Sequence, residues 1–129
     1  MKRLVTILLV GIGLLNFLPL IGVVSTDQLT RLYGIAFEQP DLAVLMRHRA
    51  VLFGLIGGFI LLAAFRPSLQ LIATIAGLVS MLCFILLAWA TEGVGDELGR
   101  IVIADIAGSV AAVIVLVVLF FDKRQRDSR

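Results

Sequence analysis

Four apolar runs, separated by short polar or glycine-rich stretches, organise this chain. The first covers residues 4–24, the third 69–89 and the fourth 101–121, each 21 residues long. A helix rising ~1.5 Å per residue needs about 20 residues to cross ~30 Å of hydrocarbon. The second uncharged run, 50–65, has only 16 residues. Its pattern extends upstream, because Pro40-Asp41 can open a helix that passes through Leu42 to Met46 and then Arg47-His48-Arg49. The sequence therefore predicts an all-α, four-transmembrane-helix bundle in a single domain. Its spans lie at about 4–24, 42–65, 69–90 and 101–121, with outer loops at 25–41 and 91–100.

The connections carry their own signals. Ser25 with Gln28 reads as a capping box, Leu29, Leu32 and Tyr33 fall on one helical face, and Gly34 can end the helix. This predicts a short amphipathic helix on the outer membrane surface. Arg66-Pro67-Ser68 forces a tight hairpin between the second and third spans. Gly93, Gly95 and Gly99, interleaved with Glu92, Asp96 and Glu97, predict a solvated outer turn. The charged tail 122–129 is expected to fray.

Composition agrees with a membrane chain. Hydrophobic residues make up 60% of it and the mean hydropathy is +1.11, against about 45–50% apolar residues in soluble domains. The net charge of +2 matters less than where the cations sit. With the N-terminus inside, the inner side holds seven, Lys2, Arg3, Arg66, Lys123, Arg124, Arg126 and Arg129, and the outer side four, Arg31, Arg47, Arg49 and Arg100. That bias predicts both termini in the cytoplasm of a cell with this protein in its inner (plasma) membrane. It is a topology signal, and no nucleic-acid partner is expected, since no basic face with interleaved aromatics exists. The first run is too long for a signal-peptide core, and no small-residue cleavage site follows it, so it is expected to stay as a span.

Asp105 stands out. It lies four residues into the last span, where an acid costs roughly 2.5–3.5 kcal/mol at full depth and normally faces a partner inside the bundle. Gly108, Ser109 and Ala112 extend its face with small residues. In the second span Arg47, Gly54 and Gly58 share a face, and Gly54 and Gly58 form a GxxxG surface. Arg47 is thus the expected partner of Asp105, with Arg49, pointing the other way, as second candidate. Asn16 and Pro19 occupy the outer half of the first span, so Asn16, Arg47, His48, Arg49 and Asp105 all gather toward one leaflet. They form either a polar pocket that takes a ligand or a buried ion pair that fixes helix register. Gly54, Gly58, Gly77 and Gly108 are the expected helix-packing positions. The single histidine and the single cysteine, Cys83, read as a non-ligand and a small buried apolar side chain. No motif calls for a metal, a cofactor or catalysis.

The order of parts resembles small bacterial four-helix membrane proteins of the DoxX-like type. The resemblance runs over most of the chain. It covers the basic start, Asn16-Phe17-Leu18-Pro19, Arg31-Leu32-Tyr33-Gly34, Leu45-Met46-Arg47-His48-Arg49-Ala50 leading into a Gly-rich span, and Ala63-Ala64-Phe65-Arg66-Pro67. Some members of that group look like accessory subunits of quinone-linked oxidoreductases, which implies a partner protein.

Three functions are therefore in view. The first is a non-enzymatic bundle acting as an accessory or interaction subunit, with itself or another membrane protein as partner besides the membrane lipids. The second is a binder of a lipid, quinone or small apolar ligand in the outer-leaflet pocket. The third is a small proton-coupled transporter, although four-helix exporters place their essential acid in the first span, which here has none.

Overall fold

A computed structural model describes residues 1–36 and 38–128, without the side chains of Arg126 and Asp127. Phe37, in the first outer loop, and Arg129, counted with the terminal cations, lie outside the described residues. The elements in order are α1 (Lys2–Phe17), a 3-10 segment (Leu18–Val23), α2 (Thr26–Tyr33), α3 (Pro40–Ala64), α4 (Pro67–Trp89) and α5 (Asp96–Asp127). Four helical stretches are long and apolar enough to cross a membrane, namely Lys2–Val23, Pro40–Ala64, Pro67–Trp89 and Asp96–Gln125.

Only 22–28% of the most apolar part of each stretch is buried within the protein. Ile7, Leu55, Leu87 and Ile103 stand exposed on four different helices. Water would penalise so large an apolar surface, whereas hydrocarbon does not. The chain is a membrane protein, a helical bundle whose narrow core is built from Leu9, Ile12, Ile60, Met81 and Val115.

Proline sets two of the helix starts. Pro40 and Pro67 open α3 and α4, where a missing N–H costs nothing. At the α3–α4 hairpin the Ala64 carbonyl accepts from Thr6 Oγ1 at 3.2 Å and from Gln70 Nε2 at 3.4 Å, which ties α1, α3 and α4 at the end that carries both termini. A carbonyl at a helix end in an apolar medium needs such partners. Pro19 acts inside the first stretch. It cannot continue the α-helical ladder, and the chain tightens into a 3-10 turn from Leu18 onward.

The helix-packing glycines need one correction. A Cβ at Gly57 would stand 2.6 Å from the Phe17 backbone nitrogen and 2.8 Å from the Gly13 carbonyl oxygen. At Gly58 the nearest atom is a Phe17 ring carbon at 3.9 Å. The crossing of α1 and α3 therefore runs over Gly57, and Gly58 of the expected pair is displaced from it by one helical step of about 100°. Gly54 receives the Leu20 side chain, Gly77 receives Ile60, and Gly108 receives Met81 and Leu15. Cys83 is exposed, where a buried side chain was expected.

The far end of the bundle holds more structure than the sequence suggests. α5 starts at Asp96 instead of 101, because Asp96 and Glu97 supply the acidic first turn that a helix N-terminus favours. It also continues through the charged tail to Asp127. Ser25 caps α2, but its Oγ accepts from the amide of Asp27 at 3.0 Å and not from Gln28. Gly34 ends α2 with φ +68, a left-handed conformation suited to glycine. Leu29 and Tyr33 are buried, with Leu29 seated on Gly22, so α2 is packed down on the bundle instead of lying free on a membrane surface.

Candidate functional site

Beneath α2 lies a cavity of about 330 Å³ to which every helix contributes. α1 and its 3-10 extension give Leu15, Asn16, Leu18 and Pro19. Arg31, Leu32 and Tyr33 come from α2, Arg49 and Phe53 from α3, and Phe84 from α4. α5 adds Glu97, Arg100, Ile101, Ala104 and Asp105. Most of this wall is apolar. The polar groups divide by depth: Asn16 and Tyr33 are buried, Arg49 and Asp105 are half-buried, and Arg31, Glu97 and Arg100 are exposed at the rim.

Arg49 dominates the interior. Its guanidinium carbon lies 5.1 Å from the Phe53 ring centre, 5.1 Å from Phe84 and 5.4 Å from Tyr33. Three ring faces thus surround one cation, each worth about 0.5–2 kcal/mol depending on desolvation. The arrangement lets a charge sit in an apolar wall without a direct carboxylate partner among the described residues. Asp105 faces the same cavity, and Arg49 is the cation whose field acts on it. Burial pushes the Tyr33 phenol above its ordinary value of 10.0, Arg49 pulls it partly back, and Asp105 adds to the rise.

The expected polar cluster is therefore only partly assembled. Asn16, Arg49 and Asp105 come together at the cavity. Arg47 does not pair with Asp105. Its Nε donates to the Val23 carbonyl at 2.8 Å, satisfying an orphan at the end of the 3-10 segment. Arg47 shares the Gly54 face, and that face is covered by the 3-10 extension of α1, whereas α5 packs against α1 and α4 and not against α3. Two residues on, about 200° around the helix, Arg49 takes the inward position. His48 is exposed and does not line the cavity. Asn16 donates from Nδ2 to the Ile12 carbonyl at 2.9 Å. One turn beyond Asp105, Ser109 Oγ is buried with no partner among the described residues.

Tyr33, Phe53, Phe84, Arg31, Glu97 and Arg100 belong to the site but are absent from the expected set. A signal for two of them was present. Arg49 and Phe53 are four apart on one helix. Arg49 also stands 17 residues before Arg66, and Phe84 17 residues after Pro67, so an antiparallel hairpin centred there brings them to one depth. Comparison of the chain with known protein families, curated proteins and solved structures returns no match.

Proposed function

We propose that this protein is a non-enzymatic membrane binding protein. It takes a small, largely apolar molecule with a hydrogen-bonding head into the cavity beneath α2. The observation that carries the reading is the Arg49 guanidinium, framed by Tyr33, Phe53 and Phe84 beside Asp105 and Asn16 in a largely apolar wall of ligand size. Apolar cavities with a few convergent polar groups are the usual form of small-molecule sites. Here Asp105 and Asn16 supply acceptors, and the Arg49 guanidinium supplies donors. A carbonyl or phenol head with a ring or chain behind it, such as a quinone or a lipid, fits this chemistry.

The charge bias of seven cations against four supports placing both termini in the cytoplasm and the cavity toward the outer leaflet. The accessory-subunit reading loses support at Gly54, Gly77 and Gly108, whose faces are filled from within the same chain. Purification in mild detergent, with mass spectrometry of what stays bound, tests the proposal. A stoichiometric small amphiphile supports it, and a stoichiometric partner protein with an empty cavity opposes it.

A further inference from the structure

A second depression lies at the opposite end of the molecule, independent of the cavity beneath α2. It is a groove of about 830 Å³ between the start of α4 and the end of α5. Pro67 and Leu71 form one wall, Leu116 and Phe120 the other, and Lys123 and Arg124 stand at its upper edge. Both cations are exposed. From Lys123 down to Leu116 is seven residues of helix, about 10 Å, all of it apolar apart from Asp122, which does not line the groove.

The pattern is apolar below and cationic above, at the end of the bundle where the spans leave the hydrocarbon. That is the complement of one anionic lipid, with an acyl chain beneath and a phosphate at the boundary. A purely apolar occupant would leave the paired cations without a role, and a soluble anion would leave the groove empty. We propose that this groove holds an anionic phospholipid, its acyl chain lying between α4 and α5 and its phosphate on Lys123 and Arg124. Basic groups next to membrane spans are known to select anionic head groups. Here the chemistry is sharpened from a diffuse field to a site by the groove.

The test uses the full chain in nanodiscs of phosphatidylcholine mixed with a minority of phosphatidylglycerol. Native mass spectrometry reads which lipid stays bound on release. The wild type is expected to retain phosphatidylglycerol well above its share of the bilayer. Lys123→Gln with Arg124→Gln should lower the ratio of bound phosphatidylglycerol to bound phosphatidylcholine roughly twenty-five-fold, about fivefold for each cation. Lys2→Gln with Arg3→Gln removes the same charge from the same end, and should leave the enrichment in place. Leu71→Trp should block the groove and lower retention with all cations present. Thermal midpoints of the variants identify any that fail to fold, and Leu71→Trp and the Lys123/Arg124 pair act as alternatives for each other. Equal losses in the two charge pairs would overturn the proposal in favour of general surface attraction. So would displacement of the lipid by glycerol phosphate, which has no acyl chain, or retention of a second copy of the chain in place of lipid.

Discussion

The guanidinium carbon of Arg49 lies 5.1 Å from the centre of the Phe84 ring, joining α3 to α4 across the cavity. A cation over an aromatic ring in an apolar wall couples the two helices that carry them. A double-mutant cycle on Arg49→Gln and Phe84→Leu is expected to give a coupling of about 0.5–2 kcal/mol in thermal or chemical unfolding. The same cycle with Arg47→Gln should give none, since Arg47 is bound to the Val23 carbonyl.

Adjacent glycines on α3 should answer very differently to alanine. At Gly57 the new methyl meets the α1 backbone, and overpacking of this kind costs about 1–3 kcal/mol. At Gly58 the nearest atom is 3.9 Å away, so Ala should be neutral or gain up to about 1 kcal/mol from helix propensity. Unfolding midpoints in detergent decide between this register and one in which Gly58 forms the crossing.

The four spans were legible because hydrophobic length is set by the bilayer, a constraint that acts on each segment separately. The upstream extension of α3 through Arg47-His48-Arg49 was legible for the same reason, and Pro40 marks its start. Which face of α3 meets which neighbour was not. Small residues announce close approach without saying to what, and Gly54 proved to serve the 3-10 segment after α1, which carried Arg47 to the Val23 carbonyl and Arg49 to the cavity. The N-terminal extension of α5 was hidden by glycines that read as a turn. Yet it is this extension that brings Glu97 and Arg100 onto the helix of Asp105 and into the cavity rim.

Tyr33 is the chain's single tyrosine, so its titration can be followed directly by ultraviolet absorbance. Burial raises its folded pKa above 10.0, which means the folded state favours the neutral phenol. The stability it contributes is complete below 10.0 and is lost as pH climbs through the raised folded value. Arg49→Gln removes a cation that lowers this pKa and should push it higher, while Asp105→Asn removes an anion that raises it and should bring it down. Identical titrations in wild type and both variants would place Tyr33 away from the two charges.

Orientation is open to thiol labelling once the exposed Cys83 has been replaced by alanine. Cysteine introduced at Gly95 should react with an impermeant reagent in intact cells. Cysteine at Gln125 should react only after lysis. The reverse pattern would invert the topology, and labelling of both sites in intact cells would indicate dual insertion.

Filling the cavity tests its role most directly. Ala104 lines it next to Asp105, so Ala104→Phe occupies ligand space without removing a charge. Wild type and variant, purified side by side in mild detergent and matched for thermal stability, are compared by native mass spectrometry for small molecules that stay bound. The binding reading predicts one small amphiphile per wild-type chain and its loss from the folded Ala104→Phe protein. The same molecule at the same occupancy in both proteins would contradict it.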